Sequence, residues 1–479
     1  MGDYSVPESI RKFKPKGTMV KAISGNYYVY EYSSYKDENG KRKTKMGHLI
    51  GSIKEGIGFI PNDSYIISSE ISTLEYGQYA ITLSNSSSVL KLLKECFNPL
   101  DAVRIYVVSV IHFIENFTYL KDVSKYYEMS YLSLKFPGLK MGYTALSTLY
   151  DSLGRRQSGV LKFEQTLASD SSREMAIDGH AIACSSDEND LAEKGSKFNV
   201  FNSDQINLLM AYDVNTGIPL ISKIYEGGNL DKISVRDFLT QIVLENMLFI
   251  VDSGFYSTEN IELFSQNNNS YIIPLSSNLR NYRCVTVVTD VNGRFIYRAN
   301  RKNSVIEYKK IDYEGYTVIA YKDMSLAALS ESDFLCRVEE GKWPAYTMER
   351  YNELKDSFGL IVLQTNLKDK SEKEIYELYK KRWRIETYYD YFKNNANYKA
   401  LHLSDYYKTQ GLSFIMLVSS LIYREVNNAV LKLKTRHVED CLLDARMIKI
   451  HKRSGKWSIC NCKNTSKEMF NELNTDLTV

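Results

Sequence analysis

Residues Leu378–Asn394 read LYKKRWRIETYYDYFKN. With no Pro or Gly and many long side chains, the stretch predicts one continuous helix. At 100° per residue, Tyr379, Arg382, Glu386 and Lys393 fall at about 0°, −60°, −20° and −40°. They share an arc of roughly 60° and run about 21 Å along the helix axis. Such a stripe can be a solvated face built from i,i+4 and i,i+7 charge pairs. It can also hold a metal ion beside a phosphate backbone. Lys381, Trp383 and Arg384 point off the stripe, which gives them surface or packing roles.

The stretches upstream bear on that choice. Met175–Cys184 (MAIDGHAIAC) reads as a short apolar strand with Asp178 in its middle, and Leu248–Val251 (LFIV) as a buried strand running straight into Asp252. A carboxylate inside a buried strand costs several kcal/mol unless it is paired or bound to a metal. A turn or cap role competes for Asp252, and a strand-end hydrogen bond for Asp178. Asn207–Asp213 and Ile218–Tyr225 read as a hairpin through Asn215-Thr216-Gly217. Asp231–Asn246 and Ser257–Ser265 then read as helices, and Tyr271–Pro274 as a strand. This mixed α/β order places Asp178 and Asp252 on neighbouring central strands. With Glu386 they make three convergent carboxylates, hard oxygen ligands suited to Mg²⁺ or Mn²⁺. Two such ions about 4 Å apart serve in-line phosphoryl displacement. No nucleophile with a convincing base and no Gly-rich phosphate loop is present. His180, on the same strand face as Asp178, reads as a half-buried structural histidine.

Bulk composition sets wide limits. A chain of 479 residues suggests about three domains. Its 61 basic residues nearly balance 58 acidic ones, so any basic surface must come from local segregation. The seven cysteines show neither zinc spacing nor a disulfide framework, which points to a reducing interior. Met1–Lys16 lacks the apolar core of a signal peptide. The longest apolar run, Leu412–Tyr423, contains three serines and is too short to span a bilayer, so it reads as a buried helix. A soluble, cytoplasmic protein is expected.

The flanking regions carry weaker signals. Tyr27–Tyr32 reads as a strand, Asp37–Gly40 (DENG) as a hairpin turn and His48–Ile50 as part of the return strand. Lys41, Arg42, Lys43 and Lys45 follow the turn, placed either to touch phosphates or to protect an edge strand. Ser88–Phe97, Asp101–Asn116 and Leu120–Glu128 have helical periodicity. The cations Lys121, Lys125, Lys135, Lys140, Arg155 and Arg156 allow a helix-turn-helix-like DNA reader there, against a plain helical bundle. Asn278–Asp356 reads as a β-rich insertion with strand-like runs at 283–288, 295–298, 304–311 and 315–321. Gly359–Asn366 (GLIVLQTN) restores a buried strand before the Leu378–Asn394 helix.

Tyr379, Arg382, Glu386 and Lys393 fit the spacing Tyr, two residues, Arg, three residues, Glu, six residues, Lys. With AIDGH at Asp178 and VDSGF at Asp252, the chain resembles the DDE transposases of prokaryotic insertion sequences, specifically the insertion sequence 4-like group. Pro219–Val235 (PLISKIYEGGNLDKISV) and the QTN ending the strand before the helix are similar too. The resemblance covers roughly Glu174–Tyr423. It implies a ribonuclease H-like core of mixed sheet, interrupted by the β-rich insertion, with an N-terminal β hairpin module and helical segments. The corresponding domains are residues 1–84 (β-rich), 85–170 (helical, DNA-binding), 171–277 and 358–425 (core), 278–357 (insertion) and 426–479 (helical region and tail).

The resemblance also implies that Asp178, Asp252 and Glu386 are catalytic metal ligands for two Mg²⁺ or Mn²⁺ ions. Tyr379, Arg382 and Lys393 would bind the DNA end near its terminal phosphates. The reaction implied is cleavage at transposon ends and strand transfer to target DNA. Its partners are the terminal inverted repeats and target duplex, with a homodimer in the synaptic complex, nucleoid-associated when DNA-bound. In some members a tryptophan of the insertion grips a flipped base; Trp343 lies in the corresponding region without a matching motif. A nuclease that only hydrolyses, and a domesticated DNA-binding protein, are the alternatives.

Overall fold

The computed structural model describes all residues except 1–5, 38–39, 63–71, 157, 185–188, 195–203, 229–230, 286–290, 300–301, 384–402, 404, 434–436, 452–456, 461–462 and 476–479. The chain forms two compact units: Met1–Ala80 with Met129–Tyr131 and Leu442–Val479, and Ile81–Glu128 with Leu132–Cys441.

In the first unit, β1 (Thr18–Ile23), β2 (Asn26–Lys36), β3 (Arg42–Lys54) and β4 (Gly58–Pro61) form an antiparallel sheet in chain order. Val20, Val29, Ile50 and Ile53 build its core with Val6 and Ile10. The Asp37–Gly40 turn closes the β2–β3 hairpin: the Gly40 amide donates to the Asp37 carbonyl at 2.8 Å and the Lys41 amide to Asp37 Oδ1 at 2.9 Å. Gly40 sits at φ +73°, where a side chain would be strained. The strand β5 (Ser72–Glu75) pairs with Ile448–His451, which pairs with Trp457–Cys460. The C-terminal region expected to be helical thus also contributes two strands, joined to residues nearly four hundred positions upstream.

The second unit is built on a ten-stranded sheet. Its centre comprises β6 (Glu174–Cys184), β7 (Glu193–Lys194), β8 (Asp204–Asp213), β9 (Pro219–Glu226), β10 (Leu248–Ile250) and β11 (Ser270–Pro274). The order β9-β8-β6-β10-β11 has β6, β10 and β11 parallel and β8 antiparallel to its neighbours. Met175, Ile177, Leu209, Ala211, Phe249 and Ile273 face one hydrophobic core with Val235, Phe238 and Phe264 from the intervening helices. Alternation along β6 therefore turns Asp178 to the other face. The first of those helices is Asp231–Leu239, seven residues shorter than expected. Beyond Leu239 the sequence turns to Thr240, Ile242 and Val243, β-branched residues that propagate a helix poorly.

The insertion extends this sheet. β12 (Gly293–Ala299), β13 (Lys302–Tyr313) and β14 (Tyr316–Asp323) form an antiparallel meander that joins β15 (Leu360–Thr365), itself antiparallel to β11. The strand expected at 283–288 is not found: Arg280–Val285 is helical, and 286–290 lie outside the described residues. The helices Met324–Glu340 and Met348–Leu354 had no counterpart in the sequence reading. Asp323 caps the first, accepting from the Leu326 amide at 3.0 Å.

The Tyr406–Val430 helix contains the apolar run read as buried, and residues 409–422 are buried. It is long and apolar enough to cross a membrane by length and composition. Here it packs against the Tyr143–Gly154 and Pro99–Ile114 helices and strand β9. Gly154 is required at the first of these crossings, because a Cβ there would lie 1.6 Å from the Tyr407 carbonyl oxygen.

Candidate active site

The parallel pairing of β10 with β6 sets Leu248 beside Glu174, Phe249 beside Met175 and Ile250 beside Ala176. Continued two residues past Ile250, this register brings Asp252 level with Asp178, on strands about 4.8 Å apart. Both aspartates are half-buried. Asp178 Oδ1 accepts from the Gly179 amide at 3.0 Å. Asp252 Oδ1 accepts from the Ser253 amide at 2.7 Å and caps the short turn Ser253–Phe255. The cap role that competed for Asp252 is therefore real, and it fixes the carboxylate at the strand end.

The Glu372–Lys381 helix brings Tyr379 and Arg382 to the same place. Ser371 and Glu374 form a capping box at its start, which sets where the helix begins. Tyr376 anchors it to the insertion: its ring packs against Phe295, Tyr297 and Tyr321, and its hydroxyl donates to Asp323 Oδ2 at 3.3 Å. At the other end Lys381 binds Glu174 at 3.1 Å and Asn215 at 2.8 Å. Neither anchor was evident in the sequence, since each joins residues far apart in the chain. Lys381 reads from the sequence as a surface or packing residue; its half-exposed side chain instead makes an ion pair and a hydrogen bond.

Between these anchors Tyr379 is 5% and Arg382 9% exposed. The guanidinium lies 5.8 Å from the Tyr379 ring centre. Burial opposes the Arg382 charge, but Tyr379, Asp252 and Asp178 outweigh it and raise its pKa. Burial raises the Tyr379 phenol, with Asp252 and Asp178 adding to the effect and Arg382 opposing it. Asp178, Asp252, Tyr379 and Arg382 thus form one electrostatic cluster. Arg382 Nε is buried with no hydrogen-bond partner among the described residues. Glu386 and Lys393 lie outside the described residues.

The similar segments have structural explanations. In the EGG of 226–228, a Cβ on Gly227 would meet the Gln205 carbonyl oxygen at 1.8 Å, and the Gly228 amide donates to Glu193 at 2.9 Å. The QTN of 364–366 stitches β15 to β11: Gln364 donates to the Tyr271 hydroxyl at 2.9 Å, Thr365 to its carbonyl at 2.6 Å, and Asn366 accepts its amide at 2.9 Å.

Two arginines considered as DNA contacts have other roles. Arg155 pairs with Asp151 and stacks over Tyr407 at 4.1 Å. Arg156 and the fully buried Glu164 form an ion pair against the backbone of β9, where Arg156 donates to the Ser222 carbonyl at 3.2 Å and Glu164 accepts the Ser222 amide at 3.4 Å. Gln410 does the same for Ile224, accepting its amide and donating to its carbonyl. Side chains thus satisfy the open edge of β9.

Residues 171–422, just over half of the chain, match the family described as Transposase DDE domain. The chain belongs to that family. It is a transposase, an enzyme acting on DNA. Among solved structures it is similar to piggyBac transposase in its synaptic complex with hairpin DNA, with a TM-score of 0.41 and 10% identity over 79% of this chain and 82% of that one. Comparison with curated proteins returns no match.

Transposases of the DDE family generally use divalent metal ions. The donor set fits one: Asp178, in the middle of β6, and Asp252, just past the end of β10, offer neighbouring hard oxygen ligands. Among the described residues no group of three or more His, Cys, Asp or Glu gathers to hold a metal. Glu386, the third carboxylate expected from the sequence, lies outside those residues.

Proposed function

We propose that this transposase belongs to the insertion sequence 4-like group, cleaves duplex DNA at the ends of a mobile element and joins the ends to target DNA. The observation carrying the proposal is the convergence of Asp178, Asp252, Tyr379 and Arg382. The strand order β9-β8-β6-β10-β11 supports a ribonuclease H-like core.

Asp178 and Asp252, with Glu386, would hold Mg²⁺ or Mn²⁺. When bound, two such ions activate the attacking oxygen and stabilise the leaving one. Arg382 supplies a fixed cation beside the carboxylates and can offer its remaining donors to a phosphate of the DNA end. Tyr379, kept protonated by burial, can donate a hydrogen bond to the same end, and Lys393 would add a point charge. The Tyr376 and Lys381 anchors hold these groups in place, so little reorganisation is needed when DNA arrives. Two ends brought together would engage two copies of the chain, acting in the cytoplasm on the nucleoid.

The test uses labelled element ends with Mg²⁺. Asp178→Asn, Asp252→Asn and Glu386→Gln should each retain end binding and lose cleavage by at least about 100-fold, beyond the 10–100-fold typical of an outer-shell partner of a metal. Normal cleavage by any of them would remove that residue from the active site. Cutting without joining would identify a hydrolytic nuclease, and binding without cutting a domesticated DNA-binding protein.

A further inference from the structure

The β2–β3 hairpin outgrows its own sheet. Strand β1 pairs with β2 only as far as Glu31, and β4 pairs with β3 only from Gly51 to Lys54. Beyond those points the two strands continue alone, with Tyr32 opposite Met46, Ser33 opposite Lys45, Ser34 opposite Thr44, Tyr35 opposite Lys43 and Lys36 opposite Arg42. Every residue of 31–36 and 41–49 is exposed, so neither face of this ribbon is covered. A two-stranded ribbon alone in water is marginal at best.

The ribbon is also the local segregation of charge that the chain's near-neutral balance demands. From Tyr32 to Met46 it carries Lys36, Lys41, Arg42, Lys43 and Lys45 against Asp37 and Glu38. Asp37 holds Lys43 at 3.2 Å. By the register, Lys36 and Arg42 lie on one face and Lys43 and Lys45 on the other. Cations on an open edge also deter strand pairing, but that purpose is poorly served by leaving Tyr32, Tyr35, Met46 and Leu49 exposed beside them.

We propose that this ribbon is a DNA-binding arm that enters a groove of duplex DNA. A two-stranded ribbon fits the major groove, about 12 Å wide, and cations on both faces meet the phosphate strands that form its two walls. The exposed tyrosines supply hydrogen bonds and apolar contact to the groove lining. The proposal rests on the reading of the chain as a DNA-acting enzyme and adds a contact surface remote in sequence from the catalytic carboxylates.

The experiment compares the full chain with a variant carrying Lys36→Ser, Lys41→Ser, Arg42→Ser and Lys45→Ser, and with a control carrying Arg at the three lysines. Binding to labelled duplexes, with and without the element ends, and to the corresponding single strands is measured by anisotropy across a salt series. Each lost phosphate contact flattens the slope of log K against log salt by roughly 0.9. The serine variant should therefore lose about 2–4 from the slope with unchanged circular dichroism and melting, while the arginine control keeps it. An unchanged slope in the serine variant, with the parent chain binding normally, would overturn the arm alone. Failure of the parent chain to bind any duplex would overturn the functional reading and the arm with it. A loss confined to single-stranded DNA would overturn the assignment to duplex.

Discussion

Asp252 stands four residues beyond Leu248 on β10 as Asp178 stands four beyond Glu174 on β6, and Leu248 and Glu174 are register partners. Two carboxylates level on adjacent parallel strands repel each other unless a cation lies between or beside them. Arg382 is beside them, 9% exposed and with its pKa raised.

Replacing Arg382 should therefore do more than remove a phosphate contact. Arg382→Ala is expected to flatten the salt slope of end binding by about 0.9, the contribution of one phosphate. It should also raise the Mg²⁺ concentration dependence of melting, because the carboxylates lose their resident cation. Anisotropy and thermal denaturation against Mg²⁺ check the two effects. A variant indistinguishable in both would make Arg382 a bystander.

The Arg156–Glu164 pair gives a contrasting expectation. Arg156→Leu leaves Glu164 buried without its cation and should cost about 3–5 kcal/mol. The double change Arg156→Met with Glu164→Leu removes both charges and should recover part of that loss, the remainder reflecting the uncapped Ser222 amide and carbonyl on β9. Chemical denaturation measures both. DNA affinity of the folded fraction should not change, which separates this arginine from Arg382.

Close helix packing makes Gly154 intolerant of substitution. A Cβ would lie 1.6 Å from the Tyr407 carbonyl, and one on Gly411 would lie 2.0 Å from that of Tyr150. Backbone cannot yield as a side-chain tip can, so Gly154→Ala should destabilise by several kcal/mol or prevent soluble expression. Gly142→Ala is the control, since nothing lies within 4 Å of a Cβ there. Equal melting temperatures for the two variants would mean that the helices separate easily.

Acid should weaken the second unit through His112. Complete burial lowers its pKa to about 3, while the ring accepts a hydrogen bond from, or donates one to, the Tyr150 hydroxyl at 2.8 Å. Unfolded, the imidazole takes up a proton near pH 6.5. Between those values the unfolded chain binds more protons, so stability is full above about pH 6.5 and falls as pH drops toward 3, by a few kcal/mol in all. His112→Phe should flatten the dependence of melting temperature on pH in this window, whatever its effect at neutral pH. An unchanged profile would assign acid sensitivity elsewhere.

The sequence was most legible where one strand or helix carried its own period. LFIVD announced a buried strand ending in a carboxylate, and the Leu412–Tyr423 run announced a buried helix; both hold. The insertion was harder. Its strands were visible at 295–298, 304–311 and 315–321, but their attachment to β15 was not, because sheet order depends on hydrogen bonds between distant segments. The helix at Met324–Glu340 was missed because only Phe334 is buried along its length, leaving little apolar periodicity to read.

By itself the sequence singled out candidates for chemistry: the spaced residues Tyr379, Arg382, Glu386 and Lys393, Asp178 inside one apolar strand and Asp252 closing another. Spacing along the chain is a local property, but the single helix expected over 378–394 is not what the described residues show: the helix ends at Lys381 with Arg382 as its C-cap, and Glu386 and Lys393 lie outside them. Tertiary structure decided which of these meet, setting Asp252 level with Asp178 and burying Tyr379 and Arg382 beside them. It also took Arg156 away from any DNA and gave it to the edge of β9. Charge alone cannot distinguish those two arginines. What separates them is where the chain brings the opposing carboxylates, and that depends on strand register and helix packing.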